Sequence, residues 1–434
     1  MQTIFALSSG KGAAGVAVIR ISGPDALKIL EIFAGNKRVR PHGLLHRVSL
    51  CAPQDGELLD NAMAVYFKAP KSFTGEDVVE LHTHGTPVTV RAILRTLGAI
   101  ENLREAEAGE FTKIALSNGK IDLLEVEGLS DLLVAKTERQ RKQALRQSQQ
   151  AKQFESWRKQ LLDAQAYLSA LIDFPDEELD SHEGKQIIIR IDTLIQNLNE
   201  EVERFLKHRK VAATVRDGIE ILIAGAPNVG KSTILNALCG HEAAIVSEEA
   251  GTTRDPIRIE LEIAGIPVFI TDTAGLRDKP SSQIEAEGIR RSEALMLSAD
   301  LLLWVYDLRE GPGIVPNFDG EILLLGNKSD LGGKAKEGLS LVANKGEGIE
   351  ALVTVLEQKI ATRAPHVDML LPRERHAKIL AEVQEALQLG MTQPLIELKA
   401  ESLRNASTAI GRLVGKIDIE EVLDQLFNEF CIGK

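Results

Sequence analysis

Cysteine is scarce in this chain: 434 residues hold three, Cys51, Cys239 and Cys431, with no paired spacing. That excludes a disulfide-stapled fold and a cysteine-built metal site, and favours a reducing compartment, so a cytoplasmic location is expected. Long apolar runs are also missing, and the opening Met1-Gln-Thr-Ile-Phe5 lacks a basic segment followed by an apolar core. Neither a signal peptide nor a membrane span is expected. Positive charge is in deficit, 51 Lys and Arg against 63 Asp and Glu, for a net charge of -12. Indiscriminate charge-driven nucleic-acid binding is therefore disfavoured, although a local basic face can serve a structured RNA. The chain does have 44% apolar content. That is enough to bury substantial cores, and its length predicts two to four domains.

The most specific pattern is Gly225-Ala-Pro-Asn228-Val229-Gly230-Lys231-Ser232-Thr233, which follows the apolar run Ile219–Ala224 and leads into Ile234–Leu238. Strand, glycine loop and helix in that order let backbone amides surround phosphates. Lys231 is then placed for the terminal phosphates and the Ser232 hydroxyl for magnesium. Later partners follow in order. Ile266–Thr271 reads as a strand delivering Asp272 to the magnesium side, within Asp272-Thr273-Ala274-Gly275, whose last residue offers an amide to the terminal phosphate. Ile322–Asn327 is a further strand, and Asn327-Lys328-Ser329-Asp330 follows it. The Asp330 carboxylate suits the N1 and amino donors of guanine, Asn327 the opposite edge of the base, and the Lys328 stem its plane. Gly251–Asp255 is flexible in composition and positioned as a first switch.

Around this domain the pattern changes. Gly15–Ile21 and Ala62–Phe67 are strand-like and Val88–Leu97 helix-like, a small mixed unit through residue 118. Helical spacing runs from Asp122 to His208 and returns from Glu374 to Phe430, with Pro365 and Pro372 resisting a continuous helix between. The expected domains are 1–118, 119–215, 216–365 and 366–434, with the nucleotide domain inserted into a discontinuous helical one. Basic residues from Lys136 to Lys159 fit either an RNA-facing surface or a solvated helix face. His82 and His84 alternate in a strand with no third ligand at a recognisable spacing, so a packed or hydrogen-bonded pair is expected rather than a metal site.

With these residues placed, the chain resembles the bacterial and organellar tRNA uridine-modifying GTPase family called MnmE or TrmE. The likeness is carried by Phe73–Gly85, by Gly109-Glu-Phe-Thr112 with Asn118-Gly-Lys120-Ile-Asp-Leu123, and by the terminal Phe430-Cys431-Ile-Gly-Lys434. It implies a multidomain α/β and all-α chain: a small α+β folate-binding and dimerising domain, a discontinuous helical domain, and an inserted P-loop GTPase domain. It further implies a homodimer working with a flavin-dependent partner, MnmG or GidA. Together they would add a carboxymethylaminomethyl or aminomethyl group at carbon 5 of wobble uridine 34 in certain tRNAs, using the one-carbon unit of 5-formyltetrahydrofolate or another reduced tetrahydrofolate.

The resemblance also distributes roles. It places Thr253 beside Ser232 on magnesium, and a potassium ion against Asn228, Ser247, the Glu249 carbonyl and Thr252 in the loop Ser247-Glu248-Glu249-Ala250-Gly251-Thr252-Thr253. Such an ion would replace the missing arginine finger. It gives the catalytic water to Glu285, with Glu287 as the neighbouring alternative, because no glutamine follows Gly275. Val342-Ala343-Asn344 stands where the family has a Ser-Ala base-side loop, so a hydroxyl is absent while the Ala343 amide is expected to remain available. Arg20, Glu80, Lys120 and Lys434 match folate positions. From the residues alone, an edge-strand charge, a buried salt bridge and an ordinary surface charge remain open for the first three. Cys431 matches a terminal cysteine that can act as nucleophile or proton-transfer group. Departures are Thr86, Ala108 and Ile114–Ser117, and the segment from Gly311 to Glu321 is short. A ribosome-assembly GTPase with an RNA-binding scaffold and a dynamin-like self-assembling GTPase are the competing readings.

Overall fold

The computed structural model describes residues 2–35, 42–173, 182–240, 258–272, 296, 299–365, 372–417 and 433. They form two compact units. One comprises Met1–Leu133, Gln147–Asp192 and Ala386–Lys434, the other Val134–Arg146 and Thr193–Glu385.

The first unit begins with β1 (Thr3–Leu7), β2 (Ala14–Ser22), α1 (Ala26–Phe33), β3 (His46–Cys51), β4 (Leu58–Phe67), β5 (Val78–Gly85), α2 (Pro87–Gly98), β6 (Leu103–Glu105) and α3 (Glu110–Ser117). The strands make one sheet ordered β3-β4-β5-β2-β1-β6, antiparallel except where β1 runs beside β6. Alternation along β2 explains its two faces. Ile19 and Ile21 are fully buried with Leu30, Phe33, Ile93 and Leu97 of α1 and α2, while Ile4, Ala6 and Phe111 of α3 make a smaller core. Arg20 lies opposite Ala6 on one side and Glu80 on the other. Because β2 is interior, the edge-strand reading of Arg20 is overturned.

Helices follow: α4 (Leu123–Val134), α5 (Glu138–Asp173), α6 (His182–Lys207) and α7 (Arg209–Asp217). At 1.5 Å per residue α5 is roughly 54 Å long. Three of its basic residues pair with acids on its own turns, Arg141 and Lys142 with Glu138 and Arg158 with Glu155. Such pairs contribute a few tenths of a kcal/mol each.

The second sheet comprises β7 (Ile219–Gly225), α8 (Lys231–Cys239), β8 (Arg258–Ile263), β9 (Ile266–Asp272), β10 (Leu301–Asp307), β11 (Glu321–Asn327), β12 (Leu339–Ser340) and α9 (Ile349–Arg363). Its order is β12-β11-β10-β7-β9-β8, parallel but for β8 on β9. Burial on both faces selects the near-continuous apolar runs Leu301–Val305 and Ile221–Ala224. The loop after β7 therefore opens at the carboxyl ends of the strands, between neighbours β9 and β10, where open α/β sheets bind ligands. Residues 308–320 join β10 to β11 without a helix. The chain ends in α10 (Glu374–Thr392) and α11 (Ile396–Leu413), the first beginning just beyond Pro372. Among the described residues no helix is long and apolar enough to cross a membrane.

Leu303 is fully buried in the middle of β10. Leu303→Ala is expected to cost about 2–5 kcal/mol, read as a lower midpoint of the unfolding transition that GDP stabilises; an unchanged midpoint would contradict this core.

Candidate nucleotide site

The loop between β7 and α8 is set by backbone constraints that only particular residues meet. Gly225 has φ +153°, and a Cβ there would run into the carbonyl of Val305 on the adjacent strand. Gly230 has φ +100° and caps α8, so the amides of the first helical turn face the loop mouth. A Cβ on Gly230 would strike the amide nitrogen of Asn327. The loop lines a cavity of about 880 Å³ together with Val305, Tyr306, Asp307 and residues 310–314 and 316.

Asn327 ties three segments together. Its Nδ2 donates to the Val229 carbonyl at 2.8 Å, and its Oδ1 accepts the Ala343 amide at 3.0 Å, with the residue only 4% exposed. This corrects the expectation that the Ala343 amide stands available. The amide bonds to Asn327. One Asn327 amide hydrogen is left for a base. Lys328, at φ +63°, donates from Nζ to the Asn228 carbonyl at 3.0 Å and to Asp307 Oδ2 at 3.1 Å. Asp330 Oδ2 lies 3.1 Å from Lys345 Nζ.

On the phosphate side Lys231 is buried, its Nζ donating to the carbonyls of Gly225 at 3.2 Å and Ala226 at 2.9 Å. The Ser232 hydroxyl donates to Asp272 Oδ2 at 3.0 Å. A hydroxyl beside a carboxylate at a helix N-terminus is a donor set of hard oxygens that suits magnesium. The loop therefore brings together Asn228, Val229, Gly230, Lys231, Ser232, Thr233, Asp272, Asn327, Lys328, Asp330, Val342, Ala343 and Asn344 within one unit. Ser247, Glu248, Glu249, Ala250, Gly251, Thr252, Thr253, Thr273, Ala274, Gly275, Glu285, Glu287, Cys431 and Lys434 lie outside the described residues.

In the first unit Arg20 donates from Nε and Nη2 to Glu80 Oε1 at 3.0 and 2.9 Å, beneath the rings of Phe73 and Phe111 at 5.2 and 5.6 Å. The pair is half-buried, so the salt-bridge reading of Glu80 describes this structure. Lys120 Nζ donates to the Pro70 carbonyl at 2.6 Å, and its stem passes beside Gly75. Phe73–Gly75 is thus flanked by Arg20 on one side and Lys120 on the other. Ser8 Oγ donates to the Gly433 carbonyl at 2.8 Å, so the residue next to Lys434 sits at the end of β1. His84 Nδ1 donates to Asp60 at 2.7 Å, and His82 Nε2 lies 3.7 Å from Glu80; the two imidazoles do not bond to each other. Burial raises the Asp60 pKa, but the bonds from His84 and the Asn61 amide outweigh it and hold the carboxyl below its ordinary value. No group of three or more His, Cys, Asp or Glu among the described residues is placed to hold a metal.

A phosphate loop of this geometry, braced by the asparagine of an Asn-Lys-Ser-Asp turn, defines a P-loop GTPase domain. The chain belongs to the MnmE (TrmE) family, and its enzymatic activity is GTP hydrolysis. The model of the MnmE helical domain matches residues 123–431 and that of the GTP-binding protein TrmE N-terminus residues 3–120. The tRNA modification GTPase MnmE of Parvibaculum lavamentivorans is 43% identical over 100% of both chains. That of Brucella ovis is 41% identical over 100% of this chain and 98% of its own. The solved G domain of the T. maritima FeoB iron transporter aligns with 34% of this chain and 98% of its own at 22% identity, with a TM-score of 0.24.

Asp307, Arg309 and Lys345 escaped the sequence reading. Asp307 had a signal, an acid closing the apolar strand Leu301–Tyr306; Arg309 and Lys345 had none. The Asn327 brace gives a direct test. Gly230→Ala should weaken GDP binding at least about a hundredfold, since φ and the Asn327 amide both oppose a Cβ. Retained affinity in a calorimetric titration would contradict the brace.

Proposed function

We propose that this GTPase hydrolyses GTP in a potassium-dependent manner and, with a flavin-dependent MnmG/GidA partner, builds the 5-carboxymethylaminomethyl or aminomethyl group on wobble uridine 34 of certain tRNAs. The one-carbon unit would come from 5-formyltetrahydrofolate or another reduced tetrahydrofolate. The observation that carries the nucleotide half is the Asn327 brace, which holds Lys328 and Asp330 in register with Gly230 and Lys231. Family membership along the whole chain supports the tRNA half. The proposed domains are 1–118 for folate and homodimerisation, 216–365 for GTP, and 119–215 with 366–434 for the helical part, in a cytoplasmic protein.

In this reading Lys231 exchanges its two carbonyl partners for the terminal phosphates, where its charge follows the oxygens through the transition state. Ser232, Asp272 and Thr253 would hold magnesium, whose bound charge offsets that of the phosphates. Asp330 reads the guanine N1 and amino hydrogens, and the Lys328 stem lies along the ring. Asn228, Ser247, the Glu249 carbonyl and Thr252 would hold a potassium ion, supplying the positive charge an arginine finger supplies elsewhere. Thr273, Ala274 and Gly275 carry the second switch, and Glu285, or Glu287 beside it, orients water. Arg20, Glu80, Lys120 and Lys434 would serve the folate, whose acidic tail suits the cations. For the pterin to reach Glu80, Oε2 beside His82 is the oxygen that would serve it, because Oε1 already accepts twice from Arg20. Cys431 would act at the one-carbon or uridine centre.

Lys231→Ala should lower GTP turnover at least about a hundredfold; turnover at the parent rate would sink the phosphate-site assignment. Turnover in potassium should exceed that in sodium at equal ionic strength, and equal rates would remove the cation site. Cys431→Ser should keep hydrolysis and lose uridine modification in a reaction containing the partner and tRNA; if modification persists, the cysteine has no part in the chemistry.

A further inference from the structure

Asp307 closes β10 with a side chain only 4% exposed, yet none of the phosphate-loop or base-turn motifs accounts for it. Its two oxygens accept four hydrogen bonds. Oδ1 takes the Arg309 amide and Nε, each at 3.0 Å, and Oδ2 takes Arg309 Nη2 at 2.6 Å and Lys328 Nζ at 3.1 Å. The same Lys328 ammonium also donates to the Asn228 carbonyl at 3.0 Å, the long-range part of the network. The ammonium thereby passes the connection on to the phosphate loop. The Arg309 guanidinium, working against burial and aided by Lys328, holds the Asp307 carboxyl well below the usual carboxylate range, so it stays charged through the physiological span.

Both backbone positions joined by this ammonium are strained in the same sense. Asn228 has φ +61° and Lys328 φ +63°, a region that side-chain-bearing residues enter only when their surroundings hold them there. The ammonium bridges the two strained turns, one carrying the base-side lysine and the other the asparagine assigned to the monovalent cation. A lysine stem lies along a base in a fixed direction only when its head is pinned, because four rotatable bonds otherwise spread it over many rotamers.

We propose that Asp307 is a positioning residue that pins Lys328 between β10 and the Asn228 carbonyl, and so couples guanine-nucleotide binding to Asn228, the residue assigned above to a monovalent cation. Arg309 is the outer clamp: bidentate and half-exposed, it fixes the carboxylate's rotation without touching the nucleotide side. The cation half rests on the potassium reading above; the base half does not. Base identity remains the task of Asp330, since a stem against the ring does not sense the 2-amino group.

The test uses Asp307→Asn and Arg309→Ala in the full chain, with GDP and IDP affinities measured by calorimetry and hydrolysis followed across a potassium titration. Asp307→Asn should weaken GDP and IDP by the same factor, about tenfold, leaving their ratio unchanged, and should raise the potassium half-saturation several-fold. Arg309→Ala should shift both quantities in the same direction by less. Unchanged GDP affinity in a folded Asp307→Asn protein overturns the proposal, as does a changed GDP to IDP ratio, which would make Asp307 a reader of the base. Weakened GDP binding with an unmoved potassium half-saturation overturns the coupling. If the parent protein shows no preference for potassium over sodium, the cation reading alone fails, and equal weakening of GDP and IDP still decides the base half. Should Asp307→Asn not fold, Arg309→Ala with both quantities at parent values overturns the proposal.

Discussion

The nucleotide site depends on one buried amide. Asn327 bonds the Val229 carbonyl with one end and the Ala343 amide with the other, and Gly230 must remain without a side chain for it to fit. Three loops that follow three different strands are thereby held in one arrangement. In a site this buried, each bond also satisfies a backbone group that would otherwise cost about 1–3 kcal/mol if left unpaired. The loop after β7, the turn after β11 and the segment after β12 therefore stand or fall together.

Much of this was legible in the sequence because it is local. The phosphate loop announces itself through glycine spacing between an apolar strand and a helix, and β7, β9 and β11 are short apolar runs closed by Gly225, Asp272 and Asn327. The helix over Pro87–Gly98 shows its apolar period, with the Thr86 hydroxyl accepting the Thr89 amide at its start. What sequence could not give is long-range pairing. Arg20 sits in an interior strand because β2 pairs both β1 and β5, an arrangement with no signature in Gly15–Ile21 itself. The Arg20–Glu80 bond follows from that register, 60 residues apart in the chain. The Ala343 amide was misjudged for the same reason, as its partner is a side chain on another strand. Asp307 was missed because a strand-end acid has no meaning until its neighbours are known.

The two units hold different chemistry. Phosphates, magnesium and guanine belong to the unit built on β7 to β12, whereas the Arg20–Glu80 pair, Lys120 and the seat of Gly433 belong to the other. In the proposed function GTP hydrolysis supplies no atom to the one-carbon transfer, so its use there would be conformational: loss of the terminal phosphate would change what the switch segments can bond. Helix α5 is unbroken from Glu138 to Asp173, with residues through Arg146 counted in the nucleotide unit and those from Gln147 in the other. A ribosome-assembly scaffold would need the GTPase unit but gives no reason for the N-terminal match over residues 3–120.

The central claim is that hydrolysis in one unit is required for uridine chemistry that draws on the other. It is tested most directly by following wobble-uridine modification in a mixture of the protein, the proposed flavin-dependent partner, tRNA and reduced folate, with GTP exchanged for a non-hydrolysable analogue. The account predicts that the analogue binds but modified uridine does not accumulate. Modification at the GTP rate with the analogue would contradict it.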